Sequence, residues 1–288
     1  MSLQSARKSA VEVLVSPLER YGGPTFDEAR TEYLNQDRWK PYTKYHVERI
    51  LIRYFDWHKP LDQITHRDVI LALDAIKAPS ECLHGYRNLR AFFNWCVPRY
   101  LQTSPMNGLK PPSRQASRER VLSDNEIRRI WHATDPEIPY GKLIRLLILL
   151  GTRRGETVAI KADWLKDNVL TIPPTHTKNG REHRIPVPQM AMPLIHTMSS
   201  IKGFWRHKTN LDKASVTGWT HHDLRRTYAT NMQRLGVRLE VTEKLLNHVS
   251  GSMAGIVSIY QRHDFFPEMK EAVERYEQFL QTLLASAK

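Results

Sequence analysis

The sequence predicts a mainly α-helical chain of two domains, the second of which carries a small β-sheet or hairpin. Three observations predict it: apolar residues recur at helical spacing, two short strand-like stretches flank the dipeptide Asn179-Gly180, and a Pro-containing basic stretch at residues 108–120 divides the helical segments. At 288 residues the chain also exceeds the ~100 to 200 residues of a usual single domain. The expected layout is a tail at 1–23, a helical domain at 24–107, a basic linker at 108–119 and a second domain at 120–288.

The first domain reads as helix throughout. Over residues 42–57, Val47, Ile50, Leu51, Tyr54 and Phe55 form one stripe, with Arg49 and Arg53 four apart on the opposite side. A second stripe runs through Leu83, Tyr86, Leu89, Phe93 and Cys96, with Arg87 and Arg90 alongside. These arginines suit contact with phosphates, and equally suit keeping a helix surface soluble. The linker sets Lys110, Arg114, Arg118 and Arg120 against the single Glu119. Beyond it, Ser123 and Glu126 make a capping box that opens a helix through Ile127, Ile130 and Trp131. An apolar helix at 143–150 stops at Gly151. The stretches NVLTIP (168–173) and HRIPVP (183–188) are strand-like, and Asn179-Gly180 between them is a hairpin-turn signal. Residues 219–235, 239–247 and 267–287 read as helix, the last with Met269, Ala272, Val273, Tyr276, Phe279, Leu280, Leu283 and Leu284 on one stripe.

Composition narrows the function classes. With 43 Lys and Arg against 30 Asp and Glu the formal charge is +13, which suggests a polyanionic partner, nucleic acid in preference to a membrane surface. A hydrophobic content of 41% excludes disorder throughout. The longest strongly apolar stretch, 143–150, contains Arg145 and falls far short of the ~20 residues of a membrane span. The run at 11–15 is too short for a signal peptide. Cys82 and Cys96 fit neither a disulfide framework nor a thiolate zinc site, and agree with a reducing cytoplasm.

Three strings in the second domain carry candidate chemistry: GTRRGE (151–156), HDLR (222–225), and His248 followed twelve residues later by Tyr260. His222 and Arg225 lie about one turn apart at a helix start, where Thr220 is placed as N-cap with Asp223 three residues on. Amide protons and the helix dipole there favour an anion such as phosphate, although a pairing of His and Arg with a local acid fits as well. Arg153 at the edge of a core either caps the helix end or grips a phosphate through two parallel hydrogen bonds, with Glu156 placed to hold it. Lys178 is a mobile ammonium or a solvated turn lysine. Tyr260, in a Gly- and Ser-rich stretch, is a core tyrosine or a nucleophile whose ionisation, costing ~4 kcal/mol at neutral pH, a cluster of cations would offset. Tyr228 and Tyr276 are assigned to core packing.

Taken in order, Arg153, Lys178, His222, Arg225, His248 and Tyr260 resemble the signature of the tyrosine recombinases, the phage-integrase family. The strings are GTRRGE (151–156), TKNG (177–180), HDLRRT (222–227), and LLNH (245–248) leading to IYQRH (259–263). The likeness extends to the helical core-binding domain of that family over residues 25–108, including LRAFFNW (89–95), and is strongest to prophage integrases. Leu150 stands where the family usually has Thr, and the twelve-residue spacing suggests a small insertion at 251–255. The tail at 1–23 is too short for a separate arm-site DNA-binding domain, which needs ~40 residues, so the chain is expected to be a simple member or a fragment, with residues 1–3 a cloning scar.

The resemblance implies a site-specific integrase acting in the cytoplasm on the nucleoid. Tyr260 would attack a scissile DNA phosphate, giving a 3′-phosphotyrosine and a free 5′-hydroxyl. Arg153 and Arg225 would clamp the non-bridging oxygens, Lys178 would protonate the leaving oxygen, His222 would take or share the tyrosine proton, and His248 would donate to the phosphate. Neither cofactor, metal nor ATP is required. The implied partner is double-stranded DNA with an attachment site, bound by a homotetramer on two duplexes. Arg49, Arg53, Arg87, Arg90, Lys110, Arg114, Arg118 and Arg120 are the candidate backbone contacts. The C-terminal stripe fits docking on a neighbouring protomer or on its own domain.

Alternatives are a topoisomerase-like strand-passing enzyme of the same chemistry, a DNA-binding protein with a decayed site, and a metal protein using His221, His222, His248 and His263. The string HRD at 66–68 is set aside as a kinase-loop decoy, because no Asn follows at the required distance and no Gly-rich loop precedes it.

Overall fold

Among the described residues, four α-helices build the first of two compact units, which divide between residues 117 and 118 of the computed structural model. The structure describes residues 23–112, 118–198, 200–248 and 263–286. Helices α1 (Phe26–Leu34), α2 (Pro41–Tyr54), α3 (His66–Asp74) and α4 (Pro79–Cys96) share one core. Helix α4 runs through its centre, and its Leu89, Phe92, Phe93 and Cys96 are fully buried. Phe92 meets Phe26 edge to face at 5.0 Å and Tyr33 at 5.4 Å, the preferred geometry for aromatic pairs. The HRD string is a helix start: Asp68 accepts the Thr65 backbone N–H at 2.7 Å and the Lys59 ammonium at 2.7 Å. That pairing holds the Asp68 carboxyl down at about 2. Cys82 and Cys96 are buried and unbonded to one another.

The second unit begins with the capping box, where Glu126 accepts the Ser123 N–H at 2.9 Å and opens α5 (Asp124–His132). Helix α6 (Pro139–Leu150) is apolar nearly all round and forms the middle of the core. It ends at Gly151, followed by the short α7 (Arg154–Val158). A three-stranded antiparallel sheet follows, β1 (Leu165–Lys166), β2 (Val169–Ile172) and β3 (His183–Pro186), with Leu170 opposite Ile185 and Ile172 opposite His183. The tight hairpin lies one strand earlier than Asn179-Gly180 suggests. Asp167 and Asn168, at φ 48° and 62°, make the two-residue turn between β1 and β2. Pro173 and Pro174 cannot donate to a ladder, so β2 ends at Ile172 and a longer loop, with a 3₁₀ turn at Pro174–His176, carries Lys178 and Asn179 before β3.

Helices α8 (Met192–His196), α9 (Phe204–Ala214), α10 (His221–Arg234), α11 (Leu239–Leu245) and α12 (Phe266–Ala285) complete the described residues. The stripe of α12 faces its own unit: Met269, Ala272, Val273, Tyr276 and Leu280 are buried in the same core as α6. The Tyr276 hydroxyl donates to the Ile148 carbonyl at 3.0 Å, and the Met190 N–H donates to Glu277 at 2.7 Å. Docking of this stripe on a neighbour therefore gives way to packing at home. No helix of the described residues is long and apolar enough to cross a membrane.

Candidate active site

Three chain reversals place Arg153, Lys178, His222, Arg225 and His248 of the second unit around one spot. The first is at Gly151, whose φ of 61° favours a residue without a side chain. A Cβ there would also lie 2.4 Å from the ring of Tyr228, which sits beneath it. Past this turn, Arg153 precedes α7, and Glu156 in the first turn of α7 reaches back to it. The Glu156 carboxylate, 2% exposed, accepts the Arg153 guanidinium at 2.8 Å and the Arg153 backbone N–H at 3.2 Å. One carboxylate thus orients both the backbone and the head group of Arg153.

The second reversal starts α10. Asp223, fully buried, accepts the Thr220 N–H at 2.8 Å, and the Arg226 guanidinium lies 2.6 Å from its other oxygen. With the helix start so fixed, Arg225 is 3% exposed. Its two terminal nitrogens donate to the carbonyls of Gly151 at 2.9 Å and Leu246 at 2.5 Å. These bonds use two of the five N–H donors of a guanidinium and hold it flat across two segments. The third reversal follows α11 at Asn247, at φ 49°. Its carbonyl accepts from Arg153 at 3.4 Å and from the Asn179 amide at 3.1 Å, and its side chain accepts Asn179 again at 2.9 Å. The loop bearing Lys178 is thereby tied to the segment bearing His248, and the Lys178 backbone N–H lies 3.5 Å from Glu156. The Lys178 side chain is exposed.

Charge makes this an anion site. Burial, followed by the neighbouring Arg153, lowers the Arg225 guanidinium to about 10, still protonated at neutral pH. Burial and the two arginines push His248 down to about 4, with Glu243 3.9 Å away as its nearest acid. His222 is lowered by burial and by Arg226 and Arg225. Two fixed cations and two neutral imidazoles therefore face one buried carboxylate. A neutral imidazole can accept a proton, and the paired guanidiniums are relieved of mutual repulsion by an oxyanion between them.

Tyr260, Arg114 and the segment 251–255 lie outside the described residues. Tyr228 and Tyr276 are core residues. His183 carries no signal in the sequence beyond its place in a strand, yet it underpins the site: 3% exposed, it donates from Nε2 to the Leu245 carbonyl at 3.0 Å, and burial drops it to about 4. Asn179 reads in the sequence only as a turn residue and Asn247 only as part of LLNH; an Asn beside Gly and an Asn ending a helix are the residues that tolerate such turns.

Several candidate backbone contacts have partners inside their own unit. Arg118 is bonded to Asp223 at 2.8 Å and to the Gly218 carbonyl, and Arg120 to Glu126 at 2.6 Å. In the first unit Arg49 lies 3.8 Å from Glu81, Arg53 sits over Tyr54 at 5.3 Å, and Arg90 donates to the Tyr86 hydroxyl at 2.5 Å. Arg87 and Lys110 are exposed. His263, one of the four histidines of the metal alternative, pairs with Glu268 at 2.9 Å.

Comparison with known proteins gives consistent relatives, although no family model matches the sequence. A tyrosine recombinase of Thermosipho africanus is 24% identical over 195 residues, 59% of this chain and 68% of the relative. The tyrosine recombinase XerD of Listeria innocua is 23% identical over 245 residues, 71% of this chain and 82% of the relative. A lambda integrase dimer bound to a COC′ core site superimposes with a TM-score of 0.67 at 17% identity, covering 92% of this chain and 82% of that one. A lambda integrase tetramer bound to a Holliday junction gives 0.67 at 16% identity, with 91% and 86% covered. By the order of its motifs, its fold and these relatives, the chain is similar to the tyrosine recombinases.

Proposed function

We propose that the chain is a site-specific DNA recombinase of integrase type, which moves a mobile element by cutting and rejoining strands through a 3′-phosphotyrosine. The observation that carries this reading is the Arg153–Arg225 pair: two guanidiniums, each held by the body of the unit, share one buried carboxylate, Glu156, so that a net positive charge is left for a phosphate oxyanion. In the cleavage step the Tyr260 oxygen forms a bond to the scissile phosphorus as the bond to the 5′-oxygen breaks. The tyrosine proton passes to His222, which burial and its arginine neighbours keep neutral. Lys178 returns a proton to the departing 5′-oxygen, while Arg153 and Arg225 take up the charge on the non-bridging oxygens and His248 donates to one of them. Attack by the 5′-hydroxyl of a second strand reverses the step, so the phosphodiester energy is kept. Four copies on two duplexes with matching attachment sites provide both strands, and the basic first unit and linker supply backbone grip.

The test compares two supercoiled plasmids, one carrying two copies of the junction that borders the gene and one carrying none. Resolution of the first into two circles, with the second left supercoiled, is expected. Efficient relaxation of the plasmid without a site overturns the reading in favour of a topoisomerase.

A further inference from the structure

Two pairs of adjacent residues divide between two neighbouring places in the second unit. Arg153 and His222 belong to the anion site. Their chain neighbours Arg154 and His221 line a separate groove of about 370 Å³ beside α9. One wall is Trp205, which at 81% exposure is the most exposed of the large apolar side chains among the described residues. Its neighbour Phe204 is anchored instead, 5.2 Å from Tyr140 and 5.0 Å from His221, and carries the Arg154 guanidinium over its ring at 5.2 Å. Phe204 thus fixes α9 and stations Arg154, while the Trp205 indole stands in water at the wall of the groove.

Among the described residues, Arg154 is the one cation of the groove that no carboxylate touches. Lys208 is neutralised by Asp212 at 2.5 Å and lies against Trp219 at 4.1 Å. Arg118 is bonded to the buried Asp223. His221, its Nε2 3.0 Å from the Tyr140 hydroxyl, is pushed down to about 4 by burial and by Arg154 and Lys208, and is neutral at pH 7. Among the described residues no carboxylate lies within ion-pair distance of Arg154. A lone guanidinium beside an exposed indole has the chemistry that single-strand and backbone binders use: a cation for the phosphate and a flat ring for the sugar or base.

Resting on the proposed function, we infer that this groove seats the nucleotide next to the scissile phosphate on the cleaved strand, with Arg154 on its phosphate and Trp205 against its sugar or base. The two guanidiniums leave the chain toward different partners, Arg153 to Glu156 and Arg154 over the Phe204 ring, so they do not compete for one phosphate. Neighbouring arginines can therefore address neighbouring phosphates, and the register of cleavage is set by which phosphate Arg153 receives once Arg154 holds the next.

The test uses the full chain and a fluorescein-labelled duplex of arbitrary sequence, with anisotropy measured over a series of KCl concentrations. Arg154→Gln should lower the slope of log K against log salt by about 0.9. Trp205→Ala should weaken binding about tenfold with the slope unchanged, and Trp205→Phe, which keeps a flat ring, should recover most of it. The emission component lost in Trp205→Phe should be quenched by iodide in the free protein and shielded in the complex. Both side chains lie at the surface, so the far-UV spectrum of each variant should match wild type. Wild type binding the duplex while Trp205 stays open to iodide, or either variant binding as wild type does, overturns the groove alone. Wild type failing to bind the duplex overturns the DNA reading and the groove with it.

Discussion

Replacing Gly151 with alanine is expected to destabilise the second unit by about 2 to 5 kcal/mol, in two separable parts. At φ 61° an L-residue pays ~1 to 2 kcal/mol for the left-handed conformation. The new Cβ would also stand 2.4 Å from Cδ1 and 2.5 Å from Cγ of Tyr228. That is more than 1 Å inside the ~3.5 Å of a normal carbon contact. Tyr228 cannot retreat, because it is 1% exposed and its ring meets Tyr276 at 4.8 Å; overpacking of this kind costs ~1 to 3 kcal/mol. The displaced Gly151 carbonyl is the acceptor for Arg225, so cleavage should slow along with the loss of stability. Urea unfolding of the full chain, followed by circular dichroism, gives the cost in the wild-type and Tyr228→Leu backgrounds. Without the ring only the backbone part of ~1 to 2 kcal/mol should remain. An equal cost in both backgrounds, or one below ~0.5 kcal/mol in wild type, refutes the assignment of the clash.

Other outcomes follow from the same contacts. His183 titrates at about 4 when folded against 6.5 for an ordinary histidine, so the unfolded chain takes the proton first; stability should be full above pH 6.5 and fall by about 3 kcal/mol as pH drops toward 4. His183→Gln should remove that share of the fall in urea melts at several pH values, leaving the shares of His221 and His248, which are held as low. Arg225→Lys should cut strand cleavage at least ~100-fold while binding changes less than ~10-fold, since an ammonium cannot span the Gly151 and Leu246 carbonyls and still present a flat face; single-turnover cleavage beside anisotropy separates the two. Deleting residues 265–288 removes Tyr276 and Leu280 from the core, so loss of folding, seen as a missing urea transition, is expected in place of a folded protein that fails only to assemble.

Much of this was legible in the sequence because local rules and tertiary demands agreed. The box at Ser123 and Glu126, the apolar run of α6 ending at Gly151, and the start of α10 at Thr220 and Asp223 each specify a boundary through their own side chains. The turn at Asp167 and Asn168 was hidden because Asn179-Gly180 is the stronger local signal, while the two prolines that end β2 displaced it. Helix α9 has a weak stripe, since Trp205 faces water and Lys208 is buried by a pairing with Asp212 four residues on. The second tier of the site was equally invisible. His183 and Asn247 act through carbonyls and amides brought together from residues more than sixty positions apart, and Arg118 finds Asp223 across more than a hundred. No local pattern encodes such pairings, so the bond that Arg118 makes to Asp223 is not legible in the sequence.

The claim on which everything turns is that Tyr260 cuts DNA at a phosphate held by Arg153 and Arg225. Incubating the protein with a nicked suicide duplex of its junction sequence, then digesting and mapping any SDS-stable adduct by mass spectrometry, addresses it directly. The expected result is a nucleotide on the peptide containing Tyr260, a 5′-hydroxyl on the released strand, and no adduct from Tyr260→Phe. An adduct on another residue, or none from wild type on that duplex, contradicts it.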